Sequence, residues 1–406
     1  MERRVVITGL GIWSCLGTNL DEVRQPLYSG KSGIIFSQAR KDAGFRSALC
    51  ADVPKADLKK YLSRDLRKLM PEEAQYGYLA TIQALEHAKM DQDFLNQNEV
   101  GVIYGNDSVA EATMQALDKF RQAGSTAACG SGAIFQSMNS TVTMNLATLL
   151  HLRGINLTAS AACASGSHSV GLGYLLIKDG LQDCIICGGA QEANMYSVAS
   201  FDGLMAFSTR EDEPTKASRP FDRDRDGLIP GGGAATLVLE SYEHAVKRGA
   251  PILAEIVGWG FSGNGDHIST PNVAGPTRSL ELCLKNGGIN PRDIGYINAH
   301  ATSTHAGDGR EALAIANIFG DYRVPVTSTK SQTGHEMWMA GASELIYSIL
   351  MMKNDFIGGS LNFENPDEDT ACINVIPETR EAHFDMFLSN SFGFGGTNSS
   401  LIIKNL

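Results

Sequence analysis

"VVITGLGIWS", residues 5–14, is a run of β-branched and apolar residues broken by a glycine pair, Gly9 and Gly11. It reads as a fully buried strand. The same pattern returns as "AEIVGWGFSG" at residues 254–263. Two further echoes keep the same order along the chain. "VGVIYGN" (100–106) resembles "IGYINAH" (294–300), and "GINLTASAAC" (154–163) resembles "RVPVTSTKSQTGH" (323–335). Shared order points to two related α/β halves rather than a solenoid of many repeats. The expected division is residues 1–250 and 251–406. Helical stretches such as Pro71–Lys89 and Ala342–Lys353 alternate with the strands, so the sheets should be mixed and covered by helices. No Pro- or Ser-rich linker separates the halves, and one continuous body is expected.

The bulk properties bound the function. A chain of 406 residues with 43% hydrophobic content can bury a large core, and 43 glycines with only 19% charged residues suit a compact α/β enzyme. A net charge of −11 argues against nucleic acid as the main partner. The eight cysteines form no paired CxxC arrangement. Cys184-Ile-Ile-Cys187 lies in an apolar strand-like run without a second half, so no metal site is expected and reduced thiols fit best. Arg3-Arg4 ahead of an apolar run imitates a secretory leader, but bulky Trp13 and the lack of a small-residue cleavage site favour a first buried strand. No apolar run approaches the roughly 18 residues of a membrane span. The expected location is the cytoplasm, without membrane insertion.

Chemistry concentrates where strands end. "TASAACASGSHSV" (158–170) surrounds Cys163 with tiny side chains, between the strand-like Ile155–Leu157 and a helical run, Val170–Ile177. Small residues allow a sharp strand-to-helix turn and close approach of a ligand. A thiol there sits at a helix N-terminus, where the dipole favours thiolate. "NAHATSTHAGD" (298–308) places His300 after a short strand, "STKSQTGH" (328–335) holds Lys330 and His335, and "SNSFGFGGTN" (389–398) is a glycine-dense loop. Any one of these is ordinary: cysteines fill cores, and loop histidines and lysines are solvated. Two α/β halves converge their strand-end loops on one crevice, which makes the combination informative.

These four loops resemble the signature loops of the elongating β-ketoacyl-acyl-carrier-protein synthases, nearest the type I branch, in the thiolase-like superfamily. "VVITGLGIWSCLG", "GKSGI" (30–34), "ASRPFDRDRDGL" (217–228) and "GGGAATLVLE" (231–240) fit the same family, so the likeness spans the chain. It implies a layered αβαβα fold and a 3-oxoacyl-[acyl-carrier-protein] synthase, an acyltransferase working in fatty acid or specialised polyene or polyketide elongation. Cys163 would carry the acyl group as a thioester. His300 and His335 would stabilise the enolate left when malonyl carrier loses CO₂. The backbone amides of Cys163 and Phe394 would form the oxyanion hole. Lys330 would supply fixed positive charge, with Glu311 as its partner. Thr302 and Thr304 would bond the pantetheine arm; Phe392 and Phe394 flank a flexible glycine, and Phe394 matches the family's acyl-entry gate. The substrates travel on acyl carrier protein, no separate cofactor is implied, and the protein should be a homodimer or pair with a chain-length-factor-like subunit. The charge of −11 calls for a local basic patch to dock an acidic carrier, and "SRDLRKLM" (63–70) offers Arg64, Arg67 and Lys68.

Alternatives are weaker. A coenzyme A-dependent thiolase would want a second cysteine in a glycine-rich loop near the C-terminus, which Cys372 does not provide. A non-catalytic chain-length-factor-like subunit would lack the nucleophile. "DRDRDG" (222–227) imitates half an EF-hand loop but has Gly233 at the twelfth position, so a salt-bridged turn is expected. "PGGGAA" (230–235) lacks a P-loop ending, and Gly9-Leu-Gly11 lacks the third glycine of a dinucleotide fingerprint. The chain departs from the family pattern at Ala301 for glycine and His305 for proline. After His335, where the family reads Leu/Ser-Leu-Gly-Ala-Ala-Gly, it reads Glu336-Met-Trp-Met-Ala-Gly341. A helix beginning at His335 would put Trp338 and Met339 on the histidine's face, where they should tune acyl-chain selection.

Overall fold

A computed structural model describes residues 3–406. The main strands are β1 (Val5–Trp13), β2 (Val100–Gly105), β3 (Asn156–Ala159), β4 (Cys184–Gln191) and β5 (Gly233–Ser241) in the first half. The second half has β6 (Ala254–Gly263), β7 (Tyr296–Asn298), β8 (Pro325–Thr327), β9 (Asn374–Val375), β10 (Met386–Phe392) and β11 (Thr397–Lys404). Six helices complete the frame: α1 (Glu72–His87), α2 (Thr141–Leu150), α3 (Ser165–Lys178), α4 (Ala274–Gly287), α5 (His305–Phe319) and α6 (Ala340–Lys353).

The strand order is β9-β8-β7-β10-β11-β6-β1-β5-β4-β2-β3. Outward from the β1/β6 seam the two sides match. β1-β5-β4 and β6-β11-β10 are antiparallel, and then β4-β2-β3 and β10-β7-β8 run parallel. The three sequence echoes therefore fall on equivalent strands: β1 with β6, β2 with β7, and β3 with β8. The seam is short, with Val5–Ile7 opposite Ala254–Ile256.

The paired glycines explain why the echo reads as it does. A Cβ on Gly9 or Gly11 would lie 2.1 Å from the Ala84 carbonyl or 1.9 Å from that of Ala80, in α1. On Gly258 or Gly260 it would lie 2.7 Å from the Cys283 carbonyl or 2.1 Å from that of Ser279, in α4. Each half thus presses an outer helix directly onto its first strand. α1 and α2 cover the first sheet half, α4 and α5 cover the second, and α3 and α6 pack together between the two. These are the five layers, αβαβα. α3 and α6 lie at the centre, so their apolar residues face in nearly every direction. Val170, Tyr174, Ile177, Leu345, Ile346, Tyr347 and Ile349 all join the largest core cluster. Cys184 and Cys187 are buried strand residues, and among the described residues no helix is long and apolar enough to span a membrane.

The "DRDRDG" segment is a salt-bridged turn. Arg219 pairs with Asp222 at 2.8 Å, and buried Arg225 pairs with Asp308 at 3.7 Å and Asp367 at 2.6 Å. Arg225 also donates to the carbonyls of Thr304 and His305, so the turn braces the loop that follows His300. One expectation fails. The segment after His335 is not the start of a helix but a 3₁₀ turn, Met337–Met339, and α6 begins only at Ala340. Trp338 and Met339 consequently diverge: Trp338 joins the cluster around Cys163, and Met339 enters the central core.

Candidate active site

Equivalent strand ends supply the site. Cys163 follows β3, Lys330 and His335 follow β8, and His300 follows β7. Cys163, Thr302, Thr304, His300, His335, Glu311, Phe392 and Phe394 all line one cavity of about 290 Å³. Lys330 lies beneath it, 1% exposed.

Cys163 sits on a strained elbow. Ala162 has φ +45°, a left-handed conformation that costs a non-glycine residue about 1–3 kcal/mol. Hydrogen bonds hold it. The Ala162 amide donates to Asp107 Oδ2 at 3.1 Å, and Ser165 Oγ donates to the Ala162 carbonyl at 2.6 Å while accepting from the Ala161 amide at 2.9 Å. The thiol is 6% exposed, and burial pushes it up to about 12, although Lys330 and the amides of Cys163 and Phe394 act in the opposite direction. α3 starts only at Ser165, and desolvation is the largest effect on the thiol. The resting nucleophile is a thiol. Both amides expected of the oxyanion hole lie close enough to favour charge on the sulfur.

The Phe394 amide is delivered by the loop after β10. A Cβ on Gly393 would lie 3.0 Å from the Ala161 carbonyl and 3.1 Å from the Ala162 Cβ, a tight contact, so glycine lets this loop press closely against the elbow. Gly395 and Gly396 then take positive φ, +77° and +73°. Phe394 is 38% exposed and stacks on Phe201, while Phe392 lies 5.9 Å from His300 between ring centroids.

The histidines are buried and neutral. Their rings meet edge to face at 5.4 Å, and burial with the nearby Lys330 charge holds both well below the ordinary imidazole range. His335 Nδ1 accepts from the Met337 amide at 3.3 Å, which leaves the proton on Nε2, and Nε2 has no partner. A neutral N–H donor without an acceptor is thereby held at the cavity wall. His300 is fixed from behind by Glu311, whose two oxygens accept from the amides of His300 (2.9 Å) and Ala301 (2.7 Å), with Asn390 donating at 3.0 Å. Burial pushes Glu311 up to about 7.

Glu311 is therefore not the direct partner of Lys330, contrary to the sequence reading. The Lys330 ammonium bonds Glu344 of α6. Glu344 was missed, although it is the lone acid in the otherwise uncharged run Ala340–Met352. Asp107 was missed as well; nothing around it in sequence marks it out. The Oγ1 atoms of Thr302 and Thr304 lie 3.1 Å apart at the cavity. Arg64, Arg67 and Lys68 lie on a short exposed helix well apart from these residues in the chain, bordering a shallow groove with Lys55 and Lys59.

A cysteine on an elbow, two amides on its sulfur and two neutral imidazoles beside it define a condensing acyltransferase of the thiolase-like fold. The chain belongs to the β-ketoacyl synthase family. Residues 2–245 match the family's N-terminal domain and residues 253–364 its C-terminal domain. It is 40% identical to the 3-oxoacyl-[acyl-carrier-protein] synthase 1 of Haemophilus influenzae over 405 residues, 99% of each chain. It superposes on a β-ketoacyl synthase from Burkholderia phymatum STM815 with a TM-score of 0.95, at 37% identity over the whole of both chains. It also superposes on the ishigamide ketosynthase/chain length factor with a TM-score of 0.92, at 30% identity over the whole of both.

Proposed function

We propose that the crevice performs a decarboxylative Claisen condensation in acyl-chain elongation, with Cys163 as the nucleophile and His300 and His335 as the enolate donors. One observation carries the residue assignment: His300 and His335 line the same cavity as Cys163, and the buried Nε2–H of His335 has no partner.

In the first step the Cys163 sulfur attacks the carbonyl of an acyl thioester on acyl carrier protein. The amides of Cys163 and Phe394 hold the oxyanion, and the carrier thiol leaves with the proton the cysteine gives up. Malonyl carrier then enters along Thr302 and Thr304, whose hydroxyls suit the amides of a pantetheine arm. Its C–C bond to the carboxylate breaks, CO₂ departs, and the electron pair passes to the thioester oxygen. Two neutral N–H donors stabilise that charge as it develops. Neutral donors suit this step, because an imidazolium would also hold the carboxylate that must leave. The carbanion attacks the acyl-cysteine, the oxyanion hole is used again, and the cysteine leaves as thiolate and takes up a proton. Lys330 holds positive potential under the site. No step requires a metal or a redox cofactor.

Residues 1–250 bring the nucleophile and residues 251–406 bring the lysine and both histidines, so the duplication divides the chemistry. Arg64, Arg67 and Lys68 form the carrier-docking patch, supported by the exposure of Arg64 and Lys68, with half-buried Arg67 between them, beside Lys55 and Lys59. A second copy of the chain, or a chain-length-factor-like subunit, covers β3. This is the terminal strand of the sheet, and exposed Leu157, Met138, Phe135 and Ile134 lie on it or shortly before it in the chain. The reaction takes place in the cytoplasm.

The test separates half-reactions. Cys163→Ala should abolish the acyl adduct seen by intact-protein mass spectrometry. His300→Ala and His335→Ala should suppress CO₂ release from malonyl carrier more than they slow acylation. An adduct persisting in Cys163→Ala, or acylation falling as far as decarboxylation, would refute the assignments.

A further inference from the structure

Glu336 stands immediately after His335, at a position where the family pattern has leucine or serine. It is 1% exposed, and both of its oxygens are used. Ser343 Oγ donates to Oε2 at 2.5 Å and Tyr347 OH donates to Oε1 at 2.9 Å. Both donors belong to α6, one turn apart. The carboxyl therefore pins the residue after His335 to the central helix.

What lies between is strained. Met337 has φ +48°, a conformation unfavourable for a residue with a side chain, and the 3₁₀ turn depends on it. The Met337 amide is also the donor to His335 Nδ1, so the strained residue sets the histidine's tautomer. Further bonds hold the segment: His335 exchanges backbone bonds with Ile229 and Gly231, and the Met339 amide donates to the Glu336 carbonyl at 3.1 Å. The backbone bonds fix the histidine's main chain. The Ala340 amide at the start of α6 donates to the Met337 carbonyl, and the Glu336 side chain ties the turn laterally to residues further along α6.

We infer that Glu336 is a positioning residue for His335: by bonding Ser343 and Tyr347 it stabilises the strained Met337 turn that aims Nε2–H at the developing enolate. The arrangement parallels that of Glu311, which holds the His300 turn through two backbone amides, but Glu336 reaches its histidine through a neighbouring helix. This inference rests on the reading of His335 as an enolate donor. It assigns no contact between Glu336 and substrate.

The full-length enzyme is assayed for CO₂ release from malonyl carrier and, separately, for the rate of acyl-adduct formation on Cys163. Glu336→Ala should lower decarboxylation about tenfold or more, the scale expected when a reacting group is slightly misplaced, with acylation changed less than about twofold. Glu336→Gln keeps polar atoms for both hydroxyls and should recover most of the lost decarboxylation. Tyr347→Phe removes one donor and should show an intermediate loss in decarboxylation alone. If Glu336→Ala does not fold, Glu336→Gln and Tyr347→Phe decide the matter through the same split. Equal loss in both half-reactions, failure of Glu336→Gln to outperform Glu336→Ala, or full decarboxylation in Tyr347→Phe and Glu336→Ala would overturn the inference. Full decarboxylation in His335→Ala would instead overturn the reading of His335 on which it stands.

Discussion

The Phe201 ring lies nearly parallel to that of Phe394, with centroids 6.1 Å apart and planes 17° from coincident. Phe201 also stacks on Phe207 at 6.4 Å and meets Trp338 at 6.3 Å. The glycine-rich loop is thus fastened by an aromatic contact to the wall of the nucleophile's own cluster. Phe201→Ala should release it. Amide exchange at Gly395 and Gly396 should quicken, and acylation of Cys163 should slow, because the loop carries one of the two oxyanion donors. Unchanged exchange together with unchanged acylation would show that the stack does not hold the loop.

Lys330 and Glu344 form a buried ion pair, and a single deletion strands a charge. Glu344→Leu should destabilise the protein by about 3–5 kcal/mol. Lys330→Met combined with Glu344→Leu should regain much of that stability without regaining decarboxylation. Denaturant titration of the two variants, with CO₂ release measured on the double variant, checks both halves of the claim.

Glu311 and Glu336 hold their protons to about pH 7, against an ordinary 4.5. The unfolded chain loses those protons first, so between about pH 4.5 and 7 it binds fewer than the folded protein. Stability contributed by these groups is complete below pH 4.5 and declines as pH rises through 7, by an amount on the order of a few kcal/mol. The decline should be smaller in Glu336→Gln. The buried neutral histidines raise stability with pH over the same range, so the test is the difference between proteins: urea midpoints of wild type and Glu336→Gln measured across pH 5 to 7.5 should diverge in slope, and identical slopes would contradict it.

Trp338 and Met339 should separate in their effects, because one touches the cluster around Cys163 and the other fills the core. Trp338→Gly should change the preference among acyl chains of differing length and unsaturation. Met339→Ala should leave preference alone and cost about 2–5 kcal/mol of stability. Competition assays with a panel of acyl carriers test the first, and thermal unfolding the second.

Reversing Arg67 and Lys68 to glutamate should raise KM for carrier-linked substrates and flatten its dependence on salt, while turnover of a short pantetheine thioester stays unchanged. An unaltered KM would place docking elsewhere.

Much of this architecture was legible in the chain. The glycine pairs of β1 and β6 were visible because close helix packing excludes every other side chain there, and their repetition exposed the two halves. The loops bearing Cys163, His300, Lys330 and His335 stood out because crowding at strand ends requires small residues. The partner of Lys330 did not stand out. Glu344 is fourteen residues away on a buried helix, and only the packing of α6 beneath the lysine brings them together. The turn after His335 was misread for a different reason. Its left-handed residue is a methionine, and a conformation held by tertiary hydrogen bonds leaves no glycine to announce it. The upward push on the Cys163 thiol was not legible because a helix start can be anticipated from sequence, whereas depth of burial cannot.

The matched strand order on either side of the β1/β6 seam bears on ancestry. Each half offers the same strand ends to the crevice, yet one half retains the thiol and the other retains the cation and both imidazoles. In an assembly of two identical copies, every crevice would have needed all of these groups on one short chain. In one chain carrying both halves that demand is absent, because each half supplies its own share of the groups to a single crevice. The crevice draws its walls from both halves, so substitutions in one are answerable to the geometry of the other.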